Sequence, residues 1–232
     1  MRCIIAKSFA RIFFRNAFNS GILLLQCDGI QDVCEGGDIV TVDVDSRTIS
    51  VNGHEFRVGE VPDNLFEIVS NGGLIEDTKK RLAEGIKKLP VTPLTIEQCR
   101  KTGYTLAEKL LKKNAGKEHV EPGDIVITRP DMFMIHDIYT PYLVDTLQRM
   151  GAESIDDPDR VTIIWDHCMP AAVAKNDSEH YDAGLELAEK FGIRKLHIGQ
   201  GICHSIMHEE KYARPGEVAT ATDSHTTTYG GA

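Results

Sequence analysis

The spacing of apolar positions changes along the chain and predicts two differently built parts. In the first third, apolar and polar residues alternate at every second position, which is typical of strands. The run at 39–44 places Val40, Val42 and Val44 on one face, and Thr41, Asp43 and the following Asp45 lie on the other. The pair Asn52-Gly53 separates further runs at 48–51 and 54–58, and this pair is a strong hairpin signal. We therefore expect a strand-rich beginning.

Residues 1–27 allow two interpretations. They contain no acid and four basic residues, namely Arg2, Lys7, Arg11 and Arg15. This composition resembles an organelle transit peptide. The alternative is a strand at 3–6, an amphipathic helix at 8–19 that begins at a capping serine and ends at Gly21, and a strand at 22–25. We favour the alternative because apolar residues continue beyond the predicted helix.

The first part is expected to close with two helices, at 62–69 and 75–84. The stretch at 83–103 then keeps no apolar period and contains two prolines, which favours a linker. About twenty residues without structure are unusual inside a compact domain, so a boundary is expected here. The predicted domains are therefore residues 1–82 and 104–232.

Beyond the predicted linker, strands and helices alternate. The predicted strands lie at 124–128, 161–165, 195–198 and 218–222, and the predicted helices at 105–113, 142–150 and 179–191. This alternation predicts an α/β fold class with a largely parallel sheet.

Composition excludes several classes of protein. The chain has 232 residues and is 41% hydrophobic. Its net charge of -9 argues against a nucleic-acid-binding protein, which would normally show a basic stripe. No apolar run approaches the roughly 18 residues of a membrane span. The six cysteines form no C-x-x-C pair, and a chain of this size is no disulfide scaffold. We expect free thiols, a cytoplasmic location, and neither nucleic acid nor membrane as a partner.

Residues that can transfer protons follow three of the predicted strands. They are Asp166 and His167 after the strand at 161–165, His204 after that at 195–198, and Asp223, Ser224 and His225 after that at 218–222. In open α/β sheets, ligands bind at the carboxyl ends of the strands, so these residues are expected to share one cleft. A carboxylate paired with an imidazole fixes its tautomer and raises its basicity, which suits acid–base catalysis.

The same region does not predict a metal site. His204 and His208 stand four residues apart, a spacing that can bind zinc on a helix. However, Ser205 stands where the H-E-x-x-H motif requires glutamate. Cys168 and Cys203 adjoin the candidate histidines, but free cysteine serves mostly as a small apolar residue. We therefore expect no metal ligand from this chain.

The order of motifs along the second part resembles a known family. The motifs are Pro122-Gly123-Asp124-Ile125-Val126, His136-Asp137, Asp166-His167, Gly201-Ile202-Cys203-His204, Pro215-Gly216 and Asp223-Ser224-His225-Thr226. This series resembles the first part of the large subunit of 3-isopropylmalate dehydratase, and aconitases and homoaconitases more broadly. The resemblance covers about residues 104–232, and the Asp-Ser-His-Thr motif is its most specific element.

The front of the chain resembles the small, swivelling subunit of the same family. The resemblance rests on residues 4–13 with Asn16 and Asn19, and on residues 67–75, which are similar to that subunit's closing helix. Two halves of one enzyme in this order indicate a small-to-large fusion. The expected fold is a swivel-domain remnant of strands and helices, followed by part of an aconitase-type three-layer α/β/α domain.

The resemblance implies a hydro-lyase that removes water from a small hydroxy-di- or tricarboxylic acid and adds it back. A [4Fe-4S] cluster would act as the Lewis acid. By position, Asp166 and His167 resemble the pair that protonates the departing hydroxyl, and His204 and Asp223 resemble a second His–Asp pair. The residues that resemble the lining of the same pocket are Ser224 and His225.

Two parts of the family's machinery do not match this sequence. The cluster cysteines of the family lie well after the Asp-Ser-His-Thr motif, and none of the six cysteines here matches them. The serine base of the swivel domain is expected ahead of the first residue. The resemblance thus implies a segment that cannot hold the cluster alone and whose partners are the remaining parts of the same enzyme.

Two other functions stay open. The first is a metal-dependent hydrolase that uses Asp166, His167, His204 and Asp223 around zinc or iron. The second is a non-catalytic protein that only pairs with subunits of the family.

Overall fold

The computed structural model describes residues 2–59, 61–85, 92, 94–95, 103–169 and 176–231. The chain divides into two compact units, residues 1–86 and 87–232. The predicted linker at 83–103 lies largely outside the described residues, so the predicted domain limits stay predictions.

The first unit contains two small sheets and three helices. Its elements are β1 (Arg2–Ala6), α1 (Arg11–Asn19), β2 (Ile22–Gln26), β3 (Thr41–Asp43), β4 (Thr48–Val51), β5 (His54–Arg57), α2 (Asp63–Ser70) and α3 (Leu74–Ala83). β1 and β2 pair in parallel across α1, whereas β3, β4 and β5 form an antiparallel sheet in that order. The core is apolar because β2 buries three consecutive leucines against Phe18 of α1.

The structure confirms most of the pattern expected in this unit. The predicted elements at 3–6, 8–19 and 22–25 form a strand, a helix and a strand. The predicted serine cap is wrong, because α1 begins only at Arg11, after an extended Ala10 that provides no side-chain cap. Gly21 follows the helix with a φ of +75°, a conformation that glycine adopts without strain.

The hairpin at Asn52-Gly53 is also confirmed. Asn52 and Gly53 both have positive φ, +50° and +78°, as the tight turn between β4 and β5 requires. The three valines of the run at 39–44 pack against the core, as predicted. The strand itself is shorter than predicted, because only Thr41–Asp43 pairs with β4 and Ile39 is 84% exposed.

The second unit is a parallel sheet with helices on both faces. Its elements are α4 (Leu106–Ala115), β6 (Met132–His136), α5 (Thr140–Met150), β7 (Val161–Trp165), α6 (Asn176–Phe191), β8 (Lys195–Ile198), α7 (Cys203–Glu209) and β9 (Ala219–Ala221). The sheet order is β8-β7-β6-β9, and every neighbouring pair is parallel. The predicted α/β class is confirmed.

Successive side chains of β7 point to opposite faces of the sheet, and different helices cover the two faces. Ile163 and Trp165 point to one face and pack with α5 and α6. Ile164, between them, points to the other face and packs with α7. All three are fully buried. Helices, sheet and helix therefore form three layers, as expected for a parallel sheet with two apolar faces.

One predicted strand is wrong and one strand was missed. Residues 124–128 form no strand, and Asp124 instead closes a turn by accepting a hydrogen bond from the backbone of Glu121 at 2.9 Å. The missed strand is β6 (Met132–His136), which pairs with β7 on one side and with β9 on the other. Two methionines and a histidine make β6 a weaker strand signal than the run Ile125-Val126-Ile127, so local preference pointed to the wrong segment.

The predicted helices of the second unit are confirmed with shifted ends. Thr105 caps α4 through a reciprocal pair of hydrogen bonds with Glu108, which places the helix start one residue later than predicted. In the described part of the chain, no helix has the length and apolar character needed to cross a membrane.

Gly184 provides a test of the packing between α6 and the sheet. A Cβ built on Gly184 would lie 2.4 Å from the buried indole of Trp165. We expect Gly184→Ala to lower the free energy of unfolding by about 1–3 kcal/mol, because overpacking outweighs the gain of about 1 kcal/mol in helix propensity. Urea unfolding followed by circular dichroism measures this. Glu186→Ala, at an exposed position of the same helix, is the control and should be near neutral; a stabilised Gly184→Ala variant would contradict the packing.

Candidate active site at the carboxyl ends of the strands

Three parallel strands end side by side and bring the candidate residues together. β6 lies between β7 and β9, so the residues after these strands meet at one edge of the sheet. His136 ends β6, Asp166 follows β7, and Thr222 and Asp223 follow β9. The candidate residues therefore lie together at the carboxyl ends of the strands, where the cleft was predicted.

Asp137 holds the loop after β7. Its carboxylate is fully buried and accepts hydrogen bonds from the backbone N–H groups of Ile138 (3.1 Å), His167 (3.2 Å) and Cys168 (2.7 Å). Backbone donors compensate the cost of burying this charge. The position of the His167 backbone therefore depends on Asp137.

Asp166 joins the ends of β7 and α7. Its Oδ1 lies 2.7 Å from Nδ1 of His167, and its Oδ2 accepts a hydrogen bond from the backbone N–H of Cys203 at 2.7 Å. The side chain of Asp166 is 6% exposed, whereas that of His167 is 34% exposed. The imidazole is thus oriented by a buried carboxylate while part of its ring faces solvent, as an acid–base group requires.

Asp223 forms a second pair with His204. Oδ1 of Asp223 lies 2.9 Å from Nε2 of His204 and accepts the backbone N–H of His225 at 2.6 Å. Nδ1 of His204 lies 3.2 Å from the hydroxyl of Tyr229. Oδ2 of Asp223 lies 3.7 Å from Nε2 of His167, so the two His–Asp pairs are neighbours.

Ser224 and His225 lie at the open side of this cluster. Ser224 is exposed, and its hydroxyl lies 3.2 Å from Nδ1 of His225. The ring of His225 is 78% exposed, and Nδ1 lies 3.3 Å from Asp223. The structure therefore brings all six predicted residues together, four in the interior of the cluster and these two at its surface.

His136 is the buried member of the cluster that sequence reasoning did not select. It is 2% exposed, and its ring centroid lies 4.6 Å from that of His167. The hydroxyl oxygen of Thr222 accepts the backbone N–H of His136 at 3.1 Å and lies 2.6 Å from Nδ1 of the same residue. Thr222 therefore holds both the backbone and one ring nitrogen of His136.

The electrostatic surroundings shift two pKa values at this site. Burial, reinforced by the neighbouring His167, lowers the pKa of His136. Burial opposes ionisation of Asp223, but hydrogen bonds from the His225 backbone and from His204 outweigh it, so the pKa of Asp223 lies below its usual value. The expected state near neutral pH is an uncharged His136 beside an ionised Asp223.

Two groups behind the cluster are held in their neutral forms. Burial, with the nearby Asp166, raises the pKa of the Cys203 thiol. Burial also raises the pKa of Tyr229, and so does the negative charge of its neighbours. Cys203 therefore serves as a protonated, fully buried apolar residue at the start of α7, in agreement with the sequence analysis.

Three overlapping groups of the cluster bring metal-ligating atoms within 4.8 Å of one another. They are His136, His167 and Asp223; His204, Asp223 and His225; and Asp137, Asp166 and His167. Within the described residues none of these groups includes a cysteine, and His208 belongs to none of them. The ring of His208 instead packs edge-on against Tyr229 at 5.9 Å.

Four members of the site were missed from the sequence. They are His136, Asp137, Thr222 and Tyr229. His136-Asp137 is one of the motifs that carry the family resemblance, but neither residue was assigned to the site, because the strand that ends at His136 had been placed elsewhere. Nothing near Tyr229 in the sequence indicates that its hydroxyl reaches His204.

Comparison with known proteins identifies the family. The family model described as "Aconitase family (aconitate hydratase)" matches residues 108–232, more than half of the chain. The chain belongs to the aconitase family. The resemblance predicted from residues 104–232 is thereby confirmed, and it covers the whole cluster described above.

The relatives within the aconitase family are named large subunits of 3-isopropylmalate dehydratase. That of Methanopyrus kandleri, large subunit 1, is 38% identical over 55% of this chain and 30% of its own length. The large subunit 1 of Pyrococcus furiosus is also 38% identical, over 55% of this chain and 30% of its own length. The chain thus spans about 30% of the length of these relatives.

A solved structure of 3-isopropylmalate dehydratase from Methanocaldococcus jannaschii matches at 36% identity, covering 38% of this chain and 53% of that chain. Its TM-score of 0.33 is too low to support a structural argument. The resemblance of the first unit to a small subunit stays a prediction.

Asp137 provides a test of how the cluster is held. We expect Asp137→Ala to lower the free energy of unfolding of the second unit by about 2–4 kcal/mol, since the backbone N–H groups of His167 and Cys168 lose a buried acceptor. Urea unfolding measures the change. The matched control is Asp145→Ala, because that carboxylate is 66% exposed in a surface ion pair with Arg149 and should change stability by about 0.5 kcal/mol or less. Equal effects of the two substitutions would refute the structural role of Asp137.

Proposed function

We propose that this chain supplies the acid–base residues of a hydro-lyase. The observation that carries the proposal is the orientation of His167. Its Nδ1 is bound to the buried Asp166, while its partly exposed ring turns Nε2 toward Asp223. A histidine held in this way can deliver a proton to a leaving hydroxyl, which departs poorly without one. Membership of the aconitase family and the named dehydratase relatives support this reaction class.

The proposed roles follow from the geometry. His167 holds the proton at Nε2 and donates it to the departing hydroxyl. In the reverse step the imidazole takes a proton back and becomes charged, and Asp166 stabilises that charge. His204 and Asp223 form the second pair, in which Asp223 is ionised and can hold a proton in transit. Ser224 and His225, at the exposed side, would contact the substrate.

The proposed substrate is a small hydroxy-polycarboxylic acid. The names of the relatives favour 3-isopropylmalate, and homoaconitate, citrate and dimethylmalate are the other candidates. Asp137, Asp166 and Asp223 give the cluster a negative character. Among the described residues, Asp166 and Asp223 form ion pairs only with histidines. An anionic substrate therefore requires positive charge from a bound cation or from other parts of the enzyme.

The iron–sulfur cluster of the proposed enzyme does not fit the cysteines described here. A [4Fe-4S] cluster is held by cysteine thiolates. Cys203 is buried with a raised pKa, and no cysteine of the described residues joins a group of metal-ligating atoms. When bound, the cluster would supply a Lewis acid for the substrate hydroxyl, and its ligands would come from outside this chain.

The proposed partners are the remaining parts of the same enzyme. The chain spans about 30% of the large subunits to which it is similar, so the complete site needs further residues. The first unit would represent the swivelling small-subunit part, in keeping with its sequence resemblance. Among the described cysteines, Cys3, Cys27, Cys34 and Cys203 are free thiols, which fits a reducing compartment such as the cytoplasm.

The role of His167 is tested in the complete enzyme that contains this chain. We expect His167→Ala to lower kcat/KM for dehydration by about 10²–10⁴, the usual contribution of a positioned proton donor. Steady-state kinetics with 3-isopropylmalate and with the other candidate acids measure the loss. His119→Ala is the matched control, because His119 is an exposed histidine of the same unit outside the cluster. Unchanged turnover of His167→Ala would remove this residue from the mechanism.

The cofactor proposal is tested on the chain alone. After anaerobic treatment with iron and sulfide, we expect no stoichiometric acid-labile sulfide, because the described cysteines form no ligand group. Sulfide and iron analysis of the repurified chain measure this. A stable cluster on the chain alone would show that its own cysteines are ligands. Turnover of esters or phosphate esters with stoichiometric zinc would instead favour a metal-dependent hydrolase.

A further inference from the structure

His197 is a buried titratable residue that the proposed mechanism does not use. It lies in β8, is 9% exposed, and has a partner at each ring nitrogen. Nδ1 lies 2.6 Å from Oε1 of Gln200, and Nε2 lies 3.1 Å from the hydroxyl oxygen of Tyr212. Because both nitrogens are engaged and the ring is away from solvent, the side chain is suited to holding neighbouring segments rather than to exchanging protons with a substrate.

The two partners of His197 stand on either side of α7 in the sequence. Gln200 belongs to the loop between β8 and α7, and Tyr212 follows the end of α7. A residue anchored in the sheet therefore binds the segments before and after this helix. We infer that His197 is a positioning residue, which fixes α7 and thereby His204 through Gln200 and Tyr212.

The start of α7 needs support from outside the helix. α7 has 7 residues, and isolated helices shorter than about 12 residues are marginal in water. Its N-cap is Ile202, whose side chain has no polar atom with which to cap the helix. The described contacts at this end are the backbone N–H of Cys203, which donates to Asp166, and the bond of Gln200 to His197 just before it.

The end of α7 depends on the other partner of His197. The backbone N–H of Tyr212 donates to the carbonyl of Met207 at 2.9 Å, and that of Lys211 donates to the carbonyl of His208 at 3.0 Å. These two bonds form the Schellman motif. Lys211 has a φ of +56°, where glycine is the favoured residue, so the motif carries a steric cost. The bond between Tyr212 and His197 holds the motif against that cost.

The chemistry of the three side chains gives each hydrogen bond a direction. Oε1 of Gln200 can only accept, so Nδ1 of His197 carries the hydrogen, and Nε2 accepts the O–H of Tyr212. Burial, reinforced by the charge of Glu210, raises the pKa of Tyr212 and keeps this hydroxyl protonated. The ammonium of Lys195 lies 5.7 Å from the centroid of the same ring, which further restricts its position.

The position of α7 decides whether the second His–Asp pair forms. His204 is the second residue of α7, and its Nε2 lies 2.9 Å from Oδ1 of Asp223. A displacement of about 1 Å would take these atoms beyond hydrogen-bond distance, and misplacement of this size can cost about 100-fold in rate. This consequence for catalysis rests on the proposed function, whereas the positioning of α7 does not.

The positioning role is tested first on this chain. Tyr212→Phe removes only the hydroxyl that reaches His197. We expect amide hydrogen exchange in α7 to become about 5–10-fold faster, in keeping with the loss of one hydrogen bond, while α5 and α6 keep their wild-type rates. Nuclear magnetic resonance follows the exchange. The ring ¹⁵N signals of His204 should change in the same variant, and those of His167 should not.

Gln200 and Tyr104 provide the matched variants. Gln200→Ala removes the oxygen that Nδ1 of His197 reaches and should also speed exchange in α7, whereas Gln200→Glu keeps an accepting oxygen and should restore the wild-type rate. Tyr104→Phe is the control, because its hydroxyl lies 2.9 Å from Nδ1 of the exposed His119, away from α7. It should leave the exchange of α7 unchanged.

The consequence for catalysis is measured in the complete enzyme. Tyr212→Phe should lower kcat for dehydration about tenfold and leave KM near its wild-type value, because the substrate-binding groups stay in place while His204 moves. Gln200→Glu should keep the wild-type kcat, and Gln200→Ala should lower it.

The inference is overturned if Tyr212→Phe and Gln200→Ala leave the exchange of α7 unchanged, if exchange rises equally throughout the second unit, or if Gln200→Glu behaves like Gln200→Ala. An unchanged kcat of Tyr212→Phe, in an enzyme that His167→Ala inactivates, would also overturn it. Faster exchange of α7 in an enzyme whose His167→Ala variant keeps full turnover would count against the proposed function alone.

Discussion

The site depends on buried carboxylates that bind the backbone of a neighbouring loop. Asp137 holds the amides of His167 and Cys168, Asp166 holds the amide of Cys203, and Asp223 holds that of His225. Asp137 and Asp166 directly follow β6 and β7, and Asp223 lies two residues after the end of β9, so the sheet positions all three carboxylates and the loops that they hold. The same carboxylates then orient imidazoles. One set of hydrogen bonds thus serves both the fold and the site, and the two cannot be altered separately.

The sequence predicted what local pattern determines. Three features could be predicted because each rests on periodicity, on turn chemistry or on position after a strand. They are the alternation of strands and helices in the second part, the hairpin at Asn52-Gly53 and the proximity of the six candidate residues between Asp166 and His225. The order of the motifs along the chain then indicated the family.

What the sequence did not predict depends on tertiary contacts. β6 was missed because its pairing with both β7 and β9 overrides a modest local preference, and with it the position of His136 was lost. The link from Tyr229 to His204 spans 25 residues and follows no period. The helix start at Arg11 was placed too early because Ser8 has the chemistry of a cap but not its position.

Trp165 gives the site a natural reporter. It is the one tryptophan in the sequence, it is fully buried at the end of β7, and Asp166 follows it directly. Within the described part of the chain its indole N–H finds no hydrogen-bond partner, so the ring is in an apolar environment against Tyr181 and Gly184. Intrinsic tryptophan fluorescence of this protein therefore originates one residue from the candidate active site. Its emission can follow the loosening of the second unit without any signal from the first.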